Sequence, residues 1–168
     1  MKFGITCGRP PKRTLVIQLA PTAFSPAQPQ FMPRPKLKQK RVLVADAEEP
    51  VRQAAHEFLA RYECEVEATN TGEDALQMIR SFHYDVVLFD AEMTDMHLIA
   101  ALTQIRGIHP HLPVIIMKGF GYDGAHRMVN ARQMGFKLAL YKPFKVELLL
   151  TELEKALTPP PEDPPASA

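Results

Sequence analysis

The chain lacks several features that would define other classes of protein. It has no tryptophan, only two cysteines in 168 residues, and no apolar run near the roughly 20 residues that cross a bilayer. Two cysteines, Cys7 and Cys64, cannot form a disulfide framework. We therefore expect a protein with no membrane span in a reducing, cytoplasmic location, with a length that suits one ordinary domain and tails.

Acidic residues are absent from the first 41 positions. That stretch carries nine lysines and arginines and seven of the sixteen prolines, whereas residues 42–158 carry eleven basic and seventeen acidic residues, a net charge of −6. A proline-rich basic segment has little apolar surface to bury, so we predict a disordered arm at residues 1–40. The proline-rich residues 158–168 are predicted to be a disordered tail for the same reason.

The basic arm allows several interpretations. Its lysines and arginines can contact nucleic acid, an acidic partner or an acidic membrane surface. It can also be a targeting segment, although its apolar run is too short and too polar for a secretory signal. A simple solvated arm is the plainest interpretation, and Met32 is a candidate for the true start of the protein.

Residues 41–157 read as five strand–helix units. Strands are predicted at 42–45, 63–68, 85–89, 113–117 and 138–141, and helices at 49–62, 72–82, 98–108, 123–134 and 146–157. Repeated units of this kind need right-handed crossovers and a parallel sheet covered on both faces. The second strand alternates as an edge strand does, and the other four are apolar enough to be buried. These patterns predict a flavodoxin-like, doubly wound α/β fold with strand order 2-1-3-4-5.

Charged residues follow four of the five predicted strands. Asp46 ends the first strand, Asp90 the third, Lys118 the fourth and Lys142 the fifth. One charged residue at a strand end commonly makes a local ion pair and means little. Four at the carboxyl edge of one parallel sheet predict a site, because ligands bind at that edge in doubly wound folds.

The segments RVLVADAEEPVR, DVVLFDAEMTDM, LPVIIMKG and LYKPF together resemble the receiver domain of bacterial response regulators. The resemblance implies that Asp90 is the phosphoacceptor for a histidine kinase and that Lys142 contacts the phosphoryl oxygens. It also implies that Asp46, Asp90 and the backbone carbonyl of Glu92 hold Mg²⁺. Such a layout suits phosphoryl transfer, because a metal ion and an ammonium group neutralise charge on the phosphoryl oxygens.

Three positions depart from the receiver pattern. Ala47 stands where the family has a second acid, and Lys118 stands where it has a hydroxyl residue. Ala139 replaces the aromatic residue that moves with that hydroxyl. The usual relay to the surface formed by the fourth helix, fifth strand and fifth helix therefore has no moving part. The resemblance also implies a cis-leaning bond between Lys142 and Pro143.

Charge counting indicates an unusual pocket. Asp46 and Asp90 are balanced by Lys118 and Lys142, so the formal charge is zero. An ammonium group at Lys118 can occupy the place of the metal or of a phosphoryl oxygen. We therefore expect weak Mg²⁺ affinity, and slow or absent phosphorylation, from the sequence.

The function that the sequence favours is a stand-alone, atypical or pseudo-receiver of the phosphorelay type that signals through protein–protein contacts and is not an enzyme. A histidine kinase or another signalling protein is the expected partner. A homodimer through the fourth helix, fifth strand and fifth helix is also expected. The alternative is a conventional receiver phosphorylated at Asp90.

Two enzyme classes are remote alternatives. The residues from Gly119 to Gly124 match the G-x-G-x-x-G pattern of dinucleotide-binding proteins, but they follow the fourth predicted strand rather than the first. The run from Asp90 to Thr94 distantly resembles a phosphatase motif that also belongs on a first strand.

Overall fold

Strands and helices alternate along the chain in the computed structural model, which describes residues 34–119 and 125–158. The elements in chain order are β1 (Arg41–Ala45), α1 (Glu49–Ala60), β2 (Glu65–Thr69), α2 (Gly72–Ser81), β3 (Val86–Asp90), α3 (Leu98–Ile108), β4 (Val114–Gly119), α4 (Ala125–Gln133), β5 (Leu138–Lys142) and α5 (Val146–Ala156). All neighbouring strands are parallel, in the order β2-β1-β3-β4-β5. The predicted flavodoxin-like architecture is confirmed.

The sheet separates two apolar layers. Leu88 packs into the layer with α1 and α5, whereas the next residue, Phe89, packs into the layer with α2, α3 and α4. This division follows from the pleat, which sends successive side chains to opposite faces of a strand. Because both faces are covered, every residue of β3 is buried. Its four apolar residues pack alternately into the two layers.

The two outer strands are less buried than the three inner ones. The alternating strand β2 lies at one edge, as predicted. Strand β5, which the sequence indicated as buried, forms the other edge, where Leu140 is buried and Tyr141 is 47% exposed. The prediction was wrong for β5 because this strand pairs only with β4, which leaves its outer side open.

Local signals set the ends of two helices. The hydroxyl of Thr71 accepts a hydrogen bond from the Asp74 amide at 3.1 Å and so caps the start of α2. Helix α4 ends before Gly135, whose φ of +91° lies in the left-handed region that glycine adopts without strain. Within the described residues, no helix is long and apolar enough to cross a membrane.

Residues 34–40 belong to the domain rather than to the arm in which the sequence placed them. Leu37 is fully buried in the layer that contains α1 and α5. Its carbonyl accepts a hydrogen bond from the Cys64 thiol at 3.3 Å, and Arg34 pairs with Glu154 of α5 at 2.6 Å. The structured part of the chain therefore starts earlier than residue 41, because one leucine anchors this segment to the core.

The basic residues from Arg34 to Arg41, all except Lys36, are paired with acids of the same domain. The ion pairs are Arg34–Glu154, Lys38–Glu63, Lys40–Asp85, Arg41–Glu65 and Arg41–Glu67. Solvent screens such pairs, so each adds little to stability. They nevertheless neutralise basic side chains within the domain. The sequence had suggested that the basic side chains of this region contact acidic groups of other molecules. Residues 1–33 and 159–168, with the rest of the predicted arm and tail, lie outside the described residues.

We expect Leu37→Ala to lower the free energy of unfolding by about 2–5 kcal/mol, the usual cost of a large-to-small change in a core. Urea unfolding of the full chain measures this loss. Lys36→Ala is the matched control, because Lys36 is exposed and next to Leu37. Equal midpoints for the two variants would mean that residues 34–40 are not part of the cooperative core.

Candidate functional site

The turn after β1 carries a buried carboxylate. Asp46 is fully buried, and its backbone amide donates to the carbonyl of Thr69 at 3.1 Å, which extends the pairing of β1 with β2. Its Oδ1 accepts a hydrogen bond from the Glu48 amide at 2.9 Å. Arg52 of α1 donates to the carbonyls of Asp46 and Ala47 at 2.7 and 2.9 Å. The loop is therefore held from both sides, and Asp46 Oδ2 is left facing the sheet edge.

Lys142 joins the ends of three strands. Its Nζ lies 2.6 Å from Asp46 Oδ2 and 3.3 Å from Asp90 Oδ1. A third carboxylate, that of Glu48, lies 3.4 Å from the same nitrogen. The structure thus brings together three of the residues that the sequence placed at the carboxyl edge, and it adds Glu48. That fourth group could not be assigned from strand positions, because its approach depends on the conformation of the turn.

The pocket holds more negative than positive charge. Asp90 is 3% exposed, and burial raises its pKa; Lys142 opposes this effect and the Asp46 carboxylate adds to it. Burial alone would lower the pKa of Lys142, but the hydrogen bond from Lys142 to Asp46 and the charges of Asp90 and Asp46 outweigh burial and raise it. Asp46, Asp90 and Lys142 together carry a formal charge of −1 when ionised, and the largely exposed Glu48 makes it −2.

Lys118 does not neutralise this pocket. Its Nζ lies 4.2 Å from the centroid of the Tyr141 ring, over the neighbouring strand β5. The two residues are partners in the β4–β5 register, so a lysine side chain that turns toward β5 meets the ring directly. The sequence predicted a pocket with a formal charge of zero, because that count placed both Lys118 and Lys142 beside the two aspartates. The structure corrects this count, since only Lys142 lies there.

The other altered positions lie close to the site. Ala139 is partly buried against the layer of α2, α3 and α4, and it pairs with Ile116 of β4. The exposed carboxylate of Glu92 turns toward the end of β4, where Oε2 accepts a hydrogen bond from the Gly119 amide at 3.3 Å. A Cβ atom at Gly119 would lie 2.7 Å from that oxygen, so glycine permits this approach.

The donor set fits Mg²⁺ in part. Asp46 Oδ2 and Asp90 Oδ1 are buried and lack a well-directed hydrogen bond, although the Lys142 ammonium is near both. Two buried carboxylate oxygens on one edge are ligands that a hard cation prefers, although here both face the Lys142 ammonium. Ala47 supplies no third one, and within residues 34–119 and 125–158 no three His, Cys, Asp or Glu side chains are grouped to hold a metal. The backbone carbonyl of Glu92 would have to complete the set.

The loop after Asp90 is fastened to α2 by a residue that the sequence did not single out. Asp95 accepts hydrogen bonds from the amides of Gly72 and Glu73, both at 3.0 Å, at the start of α2. Burial would raise the pKa of Asp95, but these backbone hydrogen bonds outweigh it and lower the pKa. No sequence spacing predicts such a cap, because its donors and acceptor are 22 and 23 residues apart.

The two enzyme motifs gain no support at this site. Of the glycine motif, Gly119 ends β4, and residues 120–124 lie outside the described part of the chain. Asp90 ends the central strand β3 rather than a first strand, as the phosphatase motif would require. The Lys142–Pro143 bond is cis, as expected.

The raised pKa of Asp90 predicts how stability changes with pH. The folded state holds the Asp90 proton more tightly than the unfolded chain, so the contribution of Asp90 to the stability of wild type falls as pH rises from about 4 through the raised pKa. The asparagine of Asp90→Asn does not titrate. The free energy of unfolding of this variant should therefore rise relative to that of wild type over the same pH range. Urea unfolding at pH values from about 3.5 to 7.5 measures the difference.

Asp95→Asn is the matched control for this experiment, with the opposite sign. Because the pKa of Asp95 is lower in the folded protein than in the unfolded chain, its ionised carboxylate stabilises wild type at pH values above the unfolded-state pKa. The free energy of unfolding of Asp95→Asn should therefore fall relative to that of wild type as pH rises. A difference between Asp90→Asn and wild type that stays constant with pH would contradict a raised pKa for the buried carboxyl group of Asp90.

Comparison with known proteins identifies the family. The family model of the response regulator receiver domain matches residues 42–154. The transcriptional regulatory protein ZraR of Escherichia coli is 37% identical over 92 residues, which are 55% of this chain and 20% of that protein. The chemotaxis protein CheY of Thermotoga maritima is 29% identical over 118 residues, which are 69% of this chain and 96% of that protein. The match thus spans about a fifth of ZraR and nearly all of the CheY protein.

A solved structure supports the fold independently. The CheY-like receiver domain protein of Methanospirillum hungatei superposes with a TM-score of 0.67 at 22% identity, over 71% of this chain and 94% of that chain. At this identity the likeness concerns the fold alone. The family match covers most of the described residues, including both aspartates and Lys142. The chain therefore belongs to the response regulator receiver domain family.

Proposed function

We propose that this chain is an atypical receiver that accepts a phosphoryl group on Asp90 and signals through protein contacts. The observation that carries the proposal is the Lys142 ammonium, which lies within 3.3 Å of both buried aspartates. An Asp90 oxygen would attack phosphorus as the bond from phosphorus to a donor nitrogen or oxygen breaks, and the leaving group takes up a proton. Lys142 would neutralise charge on the phosphoryl oxygens during this step.

The placement of Lys118 supports this proposal over the pseudo-receiver that the sequence favoured. The pseudo-receiver interpretation depended on Ala47, on Ala139 and on a pocket neutralised by Lys118, and the Lys118 ammonium group lies over Tyr141 instead. The remaining formal charge attracts a cation. When bound, Mg²⁺ would neutralise the phosphoryl oxygens from Asp46, Asp90 and the Glu92 carbonyl. We expect the binding to be weak, because Ala47 provides no carboxylate.

A binding module that works without phosphorylation remains the second candidate. Exposed apolar side chains favour it: Val129 of α4 is 50% exposed, Tyr141 of β5 is 47% exposed and Leu148 of α5 is 45% exposed. We call these three residues the α4–β5–α5 surface. Either candidate would use this surface to bind a signalling protein, such as a histidine kinase, or a second copy of the chain.

The free, buried thiol of Cys64 suits a reducing compartment, and a cytoplasmic location is part of the proposal. Burial raises the pKa of this thiol to about 11, so it is not a reactive nucleophile. Its role is packing beside Leu37. For the protein as a whole, we expect the output to be binding rather than catalysis, in agreement with the signalling role of the receiver family.

Phosphorylation can be tested with a small-molecule phosphodonor and Mg²⁺. We expect the intact wild-type chain to gain the mass of one phosphoryl group and Asp90→Asn to gain none. Asp74→Asn is the control, because Asp74 is an exposed aspartate in the first turn of α2 and is not among the carboxylates that contact Lys142. Modification of Asp90→Asn to the same extent as wild type would rule out Asp90. No modification of any protein would favour the binding module.

The missing acid can be tested by restoring it. We expect Ala47→Asp to bind Mg²⁺ roughly tenfold more tightly than wild type, since affinity for hard cations rises with the number of carboxylates in the site. Amide chemical shifts followed during a Mg²⁺ titration measure the change. Ala47→Asn adds a similar volume without the charge and should give a much smaller gain. Equal affinities for wild type and Ala47→Asp would show that position 47 does not face the metal.

A further inference from the structure

A second cavity opens at the amino-terminal ends of β4 and β5, whereas the candidate phosphorylation site lies at the carboxyl edge of the sheet. Its volume is about 320 Å³. The end of α3, the segment before β4, the segment between α4 and β5 and the end of α5 form its walls. Among its lining residues in the described part of the chain, none is acidic and four are basic: Arg106, His111, Lys137 and Lys155. We call this space the amino-edge cavity.

The guanidinium group of Arg106 is held in place without an acidic partner. It stacks on the buried ring of Phe136, 4.3 Å from the ring centroid. It also donates hydrogen bonds to the carbonyls of Pro110 and Met134. No carboxylate of residues 34–119 or 125–158 forms an ion pair with Arg106. A guanidinium group has five N–H donors, so this one is oriented by its neighbours and still has donors for a carboxylate.

The two lysines of the amino-edge cavity differ in how they are neutralised. Lys155 forms an ion pair with the buried carboxylate of Glu152 at 2.6 Å. Lys137 is exposed, and no acid of the described ranges pairs with it. Arg106 and Lys137 are therefore two uncompensated positive charges at the rim of one concave surface. Such a surface attracts acidic groups.

The floor of the amino-edge cavity is apolar. Pro113, Leu138 and Ala156 line it and are half-buried, so each still presents apolar surface to a ligand. Proline rings pack well on such a surface, and a proline-rich segment loses little conformational entropy when it binds. The surface thus suits a short segment in which prolines are followed by acidic residues.

The chain itself contains such a segment next to the cavity. Thr158 lines the cavity, and its hydroxyl donates to the Glu154 carbonyl at 2.6 Å, which fixes the point where the tail begins. The following residues, 159–163, read Pro-Pro-Pro-Glu-Asp. A polyproline II segment rises about 3.1 Å per residue, so Glu162 would lie about 12 Å from Thr158. This length is enough to cross a cavity of about 320 Å³ from α5 to α3.

We propose that residues 159–163 dock in the amino-edge cavity, with the proline rings over its apolar floor and the two carboxylates beside Arg106 and Lys137. The docked segment connects the end of α5 to the end of α3. It also occupies the surface on which an acidic segment of another protein would bind. Docking would order part of a tail that the sequence predicts to be disordered, and it does not depend on phosphorylation of Asp90.

NMR spectroscopy of the full chain tests the contact directly. We expect nuclear Overhauser contacts between the ring protons of Pro161 and the methyl groups of Leu138. The double variant Glu162→Gln/Asp163→Asn should weaken these contacts and shift the Nε–Hε signal of Arg106. High salt should have the same effect on wild type, because salt screens exposed charges. Absence of the Pro161 contacts, together with an Arg106 signal that is the same in wild type and the double variant, would overturn the proposal.

Urea unfolding provides an independent test. Lys137→Gln should raise the equilibrium constant for unfolding about 1.5- to fivefold in the wild-type chain, the effect of losing one exposed ion pair. The same change should have no effect in Glu162→Gln/Asp163→Asn, which has no acids left to pair. Lys145→Gln is the matched control, because Lys145 is also exposed but follows the other end of β5. Equal effects of Lys137→Gln in the two backgrounds would overturn the ion pair and with it the proposal.

The concentration of protein distinguishes the tail of the same chain from that of a second copy. Docking within one chain is intramolecular, so the Pro161–Leu138 contacts and the Arg106 signal should be the same in dilute and concentrated samples. Contacts that appear only in concentrated samples would mean that the tail enters the cavity of another copy, which would overturn docking within the chain. Contacts that persist on dilution support it.

Discussion

One ammonium group makes the carboxyl edge of this sheet possible. Asp46 and Asp90 are both buried, and each would be costly to ionise alone in the protein interior. Lys142 lies close to both aspartates. It does so from a strand that is not adjacent to either of theirs, because β4 lies between β5 and β3. A buried ion pair of this kind contributes little net stability, but removing one partner leaves an uncompensated charge. The geometry of three strand ends therefore depends on Lys142.

That constraint separates the chemistry of the site from its output. The proposed phosphoryl transfer needs a carboxylate, a fixed cation and acidic ligands for a metal, and Asp90, Lys142 and Asp46 would supply these with one acid fewer than the family pattern has. The output needs a part that moves when charge is added. Ala139 has no ring to move, and the aromatic side chain that the structure places near the end of β5 is Tyr141, which lies at the surface beside Lys118. A receiver can thus keep the first set of residues and replace the second.

Much of this arrangement could be predicted from the sequence, for one physical reason. Parallel strands end at the same edge, so Asp46, Asp90 and Lys142 had to lie near one another once the strand–helix order was recognised. The direction of the Lys118 side chain could not be predicted, because a long flexible stem can turn to either neighbouring strand. Leu37 was missed because one apolar residue among prolines and lysines produces no periodicity. Glu48 and Asp95 act through turn conformations that no spacing encodes.

The ion pairs of residues 34–41 change what the basic stretch can offer to other molecules. Four of its five basic residues, all except Lys36, are bound to carboxylates of the domain itself. A polyanion would have to displace those carboxylates before it could release counterions there. Lys2, Arg9, Lys12, Arg13 and Lys36 are the five basic residues of the stretch 1–41 that these ion pairs do not involve. If this stretch binds nucleic acid, the logarithm of the affinity should therefore fall with the logarithm of salt concentration with a slope of about −4.5 rather than about −8.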